Sequence, residues 1–259
     1  MGDVAVRTVD DLGAEVPLTG PARRIVSLVP SITEALAADV PDRLVGATQW
    51  CTHPADLAVV RVRGTKNPDL AAIRALAPDL VVANQEENRE LDVRRLRDAG
   101  VAVWVTAIET VPQALTSLAR LYDEALGHPA PPWLEQARAR WSGPLPAERG
   151  RVAVPVWRDP WMVVGPRTYT SDLLHRLGWN NAYDTGGAGA DRYPKVDLAE
   201  LDTAGLDLVL LPDEPYVFTA EDGPEAFRQV PTRLVSGRLL TWYGPAMVEA
   251  YDALLLADA

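Results

Sequence analysis

An internal repeat constrains the fold of this chain more than any other feature of its sequence. Residues 69–86, DLAAIRALAPDLVVANQE, align without a gap to residues 197–214, DLAELDTAGLDLVLLPDE, at a constant offset of 128 residues. Each copy opens on Asp-Leu-Ala, runs through a short helical pattern and reaches an apolar strand that ends on acids, with Glu86 matching Glu214. Self-similarity over so long a period indicates two similar halves.

Strands alternate with helices in both halves, which is typical of an α/β fold with mainly parallel sheets flanked by helices. We predict an N-terminal lobe over residues 1–126, a helical linker over 127–148 and a C-terminal lobe over 149–259. In open α/β sheets, ligands bind outside the carboxyl ends of the strands. With two lobes, those ends can face each other across a cleft.

Two helix starts can be placed from local signals. Ser31 and Glu34 form an S-x-x-E capping box directly after the apolar run RIVSLV, which predicts that a helix begins at Ser31. In the second half, Thr170 is predicted to cap a helix that runs through Leu177 and stops at Gly178.

Composition excludes several classes of function. The net charge of −11 argues against binding to nucleic acid or to anionic membrane surfaces. The single cysteine, Cys51, excludes an intrachain disulfide. The chain has no run of about 18 apolar residues, so we predict no transmembrane helix. No signal peptide is visible at the N-terminus, so we predict a cytoplasmic protein, or an extracytoplasmic one if a leader has been removed.

Aromatic and polar residues gather in the loops that follow the predicted strands. Four of the eight tryptophans, at positions 50, 157, 161 and 242, fall in such loops. Exposed aromatic rings offer a large flat surface at little entropic cost, which suits a bulky or flat organic ligand. The residues that we select from these loops as ligand contacts are Trp50, Lys66, Glu86, Trp157, Arg158, Glu214, Trp242 and Tyr243.

An enzymatic use of the same residues is the alternative. Glu86 and Glu214 could face each other as acid and base, which would require pKa values pushed apart by their environments. The chain contains no G-x-S-x-G, H-E-x-x-H or Walker motif. Cys51 and His53 are both residue types that bind metals, but two candidate ligands are too few to form a metal site. We therefore predict no catalytic residue, no catalytic cofactor and no metal site.

Three stretches resemble the helical-backbone metal receptor superfamily, which includes the cobalamin-binding protein of ABC importers and the siderophore- and haem-binding proteins. They are RIVSLVPSITEAL (24–36), the GTKNPDLAAIRALAPDLVV segment (64–82) and WRDPWMVVG (157–165). The resemblance covers nearly the whole chain from about residue 7. It implies two α/β lobes joined by a single bridging helix, with a ligand cleft between the lobes.

The resemblance also implies a set of ligand contacts. In the cobalamin binder, aromatic residues follow the equivalents of the second strand, the Val152–Trp157 strand and the final strand. Here Trp50, Trp157 and Trp242 stand at or near those places, and Tyr193 stands near another aromatic of that site. These residues favour a corrinoid-like ligand.

This chain departs from the cobalamin binder in three places. Asn84-Gln85-Glu86 replaces an aromatic after the Asp-Leu-Val strand. Ala71 and Ala199, the latter beside Glu200, stand where that protein carries the glutamates that dock on a permease. The resemblance also implies a long bridging helix, whereas the candidate here, Pro131 to Trp141, is short: it has about 11 residues and would span roughly 16 Å.

The sequence thus predicts a monomeric, non-catalytic solute-binding protein. Its ligand would be a bulky organic molecule or metal chelate, cobalamin-like first and a siderophore or haem second, held in the cleft between the lobes. An ABC permease is a possible partner, and nucleic acid is not. The alternatives are a cytoplasmic cofactor-binding or chaperone protein, an enzyme that uses the cleft carboxylates, and an interaction or sensing domain.

Overall fold

The chain forms two compact units. A computed structural model describes residues 8–186, 189–203 and 205–255. The first unit runs to Ile108 and includes Pro112–Ala137 and Tyr243–Pro245; the second comprises Glu109–Val111, Arg138–Trp242 and the chain from Ala246 onward.

The first unit is built on a parallel sheet. Its strands are β1 (Ile25–Ser27), β2 (Leu44–Ala47), β3 (Val60–Arg61), β4 (Arg63–Gly64), β5 (Asn67–Pro68), β6 (Leu80–Asn84) and β7 (Val103–Thr106). Five of them form the sheet in the order β3-β2-β1-β6-β7, with every neighbouring pair parallel. The strands β4 and β5 form a separate antiparallel hairpin.

Helices cover the sheet of the first unit. They are α1 (Pro30–Asp39), α2 (Leu70–Ala75), α3 (Glu90–Asp98), α4 (Val111–Arg120) and the first part of α5 (Pro132–Trp141); a 3₁₀ turn spans Pro41–Arg43 and a π turn spans Leu121–Ala125. The strands β1, β6 and β7 are buried along their whole length, as expected of Val- and Leu-rich parallel strands with both faces covered. Ile73 of α2 and Leu96 of α3 pack with these strands in the core.

The second unit repeats this plan with four strands in its main sheet. Its strands are β8 (Gly150–Ala153), β9 (Pro155–Trp157), β10 (Met162–Val163), β11 (Trp179–Asn181), β12 (Leu208–Pro212) and β13 (Thr232–Val235). The sheet order is β11-β8-β12-β13, again with parallel pairs. The strands β9 and β10 pair as an antiparallel ribbon.

The helices of the second unit are short. They are α6 (Tyr169–Arg176), α7 (Leu198–Leu201), α8 (Gly237–Thr241) and α9 (Ala246–Leu255), with a 3₁₀ turn at Pro224–Ala226. One cluster in the core of this unit joins Val209 and Leu211 of β12 to Trp161, Leu201 and Phe218. The predicted α/β architecture with mainly parallel sheets is therefore confirmed in both halves. The predicted domain boundaries stay predictions.

None of the helices within the described part of the chain is both long and apolar enough to cross a membrane. The predicted helix over Pro131–Trp141 is present as α5, and the chain passes from the first unit to the second within it.

The sequence repeat corresponds to a structural repeat. The strands β6 and β12 occupy equivalent positions at the 128-residue offset, and α2 and α7 begin at equivalent leucines. The two Asp-Leu-Val aspartates have the same role. Asp79 Oδ2 accepts hydrogen bonds from Arg23 N and Arg24 N, both at 2.9 Å, and Asp207 Oδ2 accepts one from Arg151 N at 2.7 Å. Each carboxylate thus secures the start of the neighbouring strand.

Both predicted helix starts are wrong by one or two residues. The helix α1 begins at Pro30, not at Ser31, and its N-cap Val29 has no side-chain hydrogen bond. Proline at the first helical position has no N–H to cap, and its fixed φ suits the helix. The helix α6 is capped by Thr168, whose hydroxyl accepts a backbone hydrogen bond of 3.2 Å. Thr170 lies inside that helix and donates to Leu240 O at 3.2 Å.

The repeat supplies a matched pair of variants for testing helix capping. Asp69 Oδ1 accepts hydrogen bonds from Ala71 N at 3.1 Å and Ala72 N at 3.0 Å, whereas Asp197 caps α7 without a side-chain hydrogen bond. We expect Asp69→Ala to lower the melting temperature by a few degrees, because α2 loses an N-cap. Asp197→Ala is the control, and an equal loss in both variants would contradict the assignment.

The cap at Asp69 should also titrate. The N–H of Ala72, assisted by Arg63 and Ala71, lowers the pKa of the Asp69 carboxyl. A carboxyl with a lowered folded-state pKa stabilises the fold above its unfolded pKa of about 3.9, and this contribution is lost as the pH falls through the folded value. The difference in melting temperature between the wild type and Asp69→Ala should therefore be constant near neutrality and shrink below about pH 4. Thermal unfolding followed by circular dichroism would measure it.

Candidate ligand-binding site

Each unit has a set of loops at the carboxyl ends of its parallel strands, where ligands bind in α/β sheets. In the first unit these loops follow β1, β2, β6 and β7, and in the second they follow β12, β13 and the β8–β9 segment. Trp50, Glu86, Arg158 and Glu214 lie in them, whereas Trp242 and Tyr243 follow the helix α8 and not a strand, contrary to the prediction.

Trp50 is the most exposed aromatic residue in the described part of the first unit. It follows β2, and 59% of its surface is accessible. Its indole Nε1 lies beside Gly64 of the β4–β5 hairpin, where an added Cβ would come within 3.2 Å of that nitrogen and 2.5 Å of Asn67 Oδ1. The absence of a side chain at position 64 therefore permits the indole to lie against the hairpin while the rest of the ring stays open.

The same hairpin brings Lys66 to Glu86. The ammonium of Lys66 donates a hydrogen bond to the main-chain carbonyl of Glu86. Asn88 Nδ2 donates to Thr65 O at 3.0 Å. Two links thus join the hairpin to the loop after β6, so Trp50, Lys66 and Glu86 belong to one connected surface of the first unit.

Asn84 organises the loop after β6. Its side chain is buried, and its Oδ1 accepts hydrogen bonds from Glu86 N at 2.8 Å and Glu87 N at 3.2 Å. Its Nδ2 donates to Thr106 Oγ1 at 3.1 Å. Asn88 Oδ1 accepts from Asn84 N at 2.8 Å. The amide therefore shapes the loop internally, while Gln85 is exposed and Glu86 and Glu87 are half-buried.

Trp242 and Tyr243 have little accessible surface. Trp242, in the second unit, is 6% exposed, and Tyr243, in the first unit, is 5% exposed. Burial, with the nearby Glu87 carboxylate, raises the pKa of the Tyr243 hydroxyl well above its ordinary value, so this phenol stays neutral. Ligand contact by these two residues stays a prediction.

In the second unit, Trp157 ends β9 and is 45% exposed. Its ring stands edge-to-face against Tyr216, with 5.6 Å between centroids and 80° between planes. Tyr216 in turn lies 4.7 Å from Phe218, which stacks on Trp161 at 5.9 Å. Trp157 is thus the exposed end of an aromatic row that runs through Tyr216 and Phe218 to the buried Trp161.

Arg158 is bound within its own unit. Its Nη1 donates to Glu225 Oε1 at 2.6 Å and also to Asp222 Oδ1, and its guanidinium carbon lies 5.5 Å from the centre of the Trp161 ring. The hydrogen bond that Arg158 donates to Glu225 is the largest of the interactions that raise the pKa of Arg158. Its charge is therefore largely balanced by local acids.

The other two predicted contacts, Glu214 and Tyr193, also belong to the second unit. Glu214 is half-buried and packs against Gly237 at the start of α8. Tyr193 is half-buried, and its N–H donates to Asp191 Oδ1 at 3.1 Å.

Sequence reasoning missed the residues that hold the exposed aromatics. Asp222 and Glu225 lie 64 and 67 residues from Arg158, so no local pattern links them. Thr106, which lies 22 residues from its partner Asn84, was missed for the same reason. Tyr216 could have been selected, because it is an aromatic in the loop after β12.

The described residues offer no resident metal centre: among them, no group of three or more His, Cys, Asp or Glu side chains could hold a metal ion.

Comparisons with known proteins point in one direction. A sequence profile described as "Periplasmic binding protein" matches residues 25–226. The vitamin B12-binding protein of Vibrio campbellii is 25% identical over 196 residues, which is 71% of this chain and 68% of that protein.

Two solved structures share the fold. The periplasmic vitamin B12 binding protein of Vibrio cholerae has a TM-score of 0.71 at 18% identity, over 91% of this chain and 96% of that one. A periplasmic heme-binding protein from Pseudomonas aeruginosa has a TM-score of 0.73 at 21% identity, over 91% and 92% respectively.

Proposed function

Because the chain belongs to the periplasmic binding protein family, we propose that it binds a bulky, flat metal chelate, of the corrinoid class before the porphyrin or siderophore classes. One observation carries the proposal. Among the tryptophan, tyrosine and phenylalanine residues that the structure describes, the two exposed ones are Trp50, which follows β2, and Trp157, which is the last residue of β9. Exposed indoles in such positions gain stability by covering an apolar ring system.

Membership of this family makes the chain a solute-binding protein and not an enzyme, as the lack of catalytic motifs predicted. The carboxylates of Glu86 and Glu214 are accordingly assigned to ligand contact and loop structure.

The order of ligand classes rests on the relatives and on the surface chemistry. The relative that aligns over 71% of the chain is a vitamin B12-binding protein. A corrinoid has one flat hydrophobic body with amide groups around its edge, which matches indole surfaces flanked by mixed polar groups. Lys66 and Glu86 supply a donor and acceptors in the first unit. In the second unit Glu214 supplies acceptors, since Arg158 is bound by Asp222 and Glu225.

Delivery to an ABC permease outside the cytoplasm is part of the proposal, supported by the family. The positions of the docking glutamates hold Ala71 and Ala199, both exposed, with Glu200 exposed beside the second. A cytoplasmic carrier of the same ligand is the alternative, and a monomer is proposed for either role.

Isothermal titration of the purified protein tests the proposal. We expect cyanocobalamin to bind with a micromolar or lower dissociation constant and 1:1 stoichiometry, and haemin or a ferric siderophore to bind more weakly. Free Co²⁺ and Fe³⁺ are the matched controls and should not bind, because the protein recognises the organic chelate. Absence of binding by all three chelates would overturn the ligand class.

A further inference from the structure

We infer that Asp222 is a positioning residue for ligand recognition, which holds the Trp157 indole in place through two neighbours, Tyr216 and Arg158. The inference rests on the proposed function, since it assigns Trp157 to the ligand face. It adds a residue that lies in a separate loop and that no local sequence pattern indicates.

The first link is through Tyr216. The phenolic hydroxyl donates to Asp222 Oδ2 at 2.6 Å, and the ring of Tyr216 is the edge-to-face neighbour of Trp157. An aromatic pair of this geometry has a preferred orientation and not only a preferred distance. The hydrogen bond at its hydroxyl therefore restricts the orientation of the Tyr216 ring, against which the Trp157 indole packs.

The second link is through the main chain. Arg158 follows Trp157 directly and donates from Nη1 to Asp222 Oδ1. The guanidinium also lies over the buried ring of Trp161. The chain on the carboxyl side of Trp157 is thus tied to the carboxylate that already holds Tyr216.

Asp222 is itself held by its loop. Its N–H donates to Thr219 Oγ1 at 3.1 Å, and its carbonyl accepts from Thr219 N at 3.0 Å. The carboxylate is therefore a fixed acceptor for two donors, with one oxygen for each. Trp157 is about half exposed, so burial alone does not define the orientation of its indole.

A double-variant cycle tests this role. We expect Asp222→Ala to weaken cyanocobalamin binding about fivefold to tenfold, within the range of coupling seen between contacting residues. The same change made in a Trp157→Ala background should weaken binding no further, because Asp222 acts through that indole. Asp222→Asn keeps an oxygen for the Tyr216 hydroxyl and should restore part of the affinity. Additive losses in the two backgrounds would overturn the inference.

Two further variants test the link through Tyr216 and control for the general effect of removing a carboxylate from this unit. Tyr216→Phe removes only the hydroxyl and should reproduce the direction of the Asp222→Ala loss. Asp202→Ala is the control, because Asp202 also accepts main-chain hydrogen bonds, from Arg228, Gln229 and Val230, but makes none to the aromatic row. It should leave affinity unchanged.

A readout without ligand separates this inference from the proposed function. Time-resolved fluorescence anisotropy of Trp157, obtained as the difference from Trp157→Phe, should show faster indole motion in Asp222→Ala. If no chelate binds the wild type, the proposed function fails and the anisotropy decides the positioning role. Unchanged indole motion in Asp222→Ala would overturn it.

Discussion

Replacing Trp50 by alanine is expected to weaken binding of the chelate by about 10- to 100-fold. The change removes the largest open aromatic surface at the strand ends of the first unit, where 59% of the tryptophan is accessible before any ligand arrives. Covering an aromatic side chain of this size contributes about 2 kcal/mol, and each 1.4 kcal/mol changes the dissociation constant tenfold. Titration calorimetry with cyanocobalamin would measure the change.

The stability of the fold should be unaffected by the same substitution, because the exposed ring adds little to the core. Leu91→Ala on α3 is a matched control, since Leu91 is also exposed in the first unit but lies at the start of a helix and not in a strand-end loop. Equal affinity losses for Trp50→Ala and Leu91→Ala would show that the effect is not specific to the proposed surface.

Replacing Gly237 by alanine is expected to destabilise the second unit by about 2 to 3 kcal/mol, in the range for overpacking a closely packed site. An added Cβ would stand 2.8 Å from Glu214 O and 2.9 Å from Glu214 N. These are main-chain atoms, so the loop after β12 must move. The N–H of Gly237 also donates to Asp213 Oδ1 at 2.7 Å, and that bond would be strained by the same movement.

Gly143→Ala is the control for the glycine substitution. No atom of another described residue, beyond its chain neighbours, lies within 4 Å of where its Cβ would stand. Such a change is expected to be neutral or slightly stabilising, since alanine restricts the unfolded chain. Denaturant unfolding would compare the two variants. A Gly237→Ala protein as stable as the wild type would contradict the prediction, because the loop after β12 would then move without loss of folding free energy.

The repeat shows how far local pattern can reach. The sequence predicts an apolar strand at each Asp-Leu-Val, and the strands β6 and β12 begin at the leucines of these two motifs. Helix starts were less accurate, because the capping signal at Ser31 competes with the preceding Pro30, whose ring already suits the first helical position. Capping residues act over about one turn, so neighbouring candidates cannot be ranked without the backbone path.

The exposure of the tryptophans near strand ends is not predicted by local sequence pattern. Trp50, Trp157 and Trp242 all follow predicted strands, and by sequence alone they are equivalent candidates. The structure leaves Trp50 and Trp157 exposed and buries Trp242. Exposure depends on which distant segments pack over a side chain, and that depends on the order of strands in the sheet.

The sequence by itself determined the two-part α/β architecture, because strand periodicity, helix signals and the repeat are recorded in short contiguous stretches. It also placed the loops in which we predict ligand contacts. Only the tertiary structure decided which aromatics are open and what holds them. Gly64 beside Trp50, and Asp222 between Tyr216 and Arg158, come together from separate segments. The physical reason is that their contacts depend on chain folding in three dimensions, over separations that local propensity does not encode.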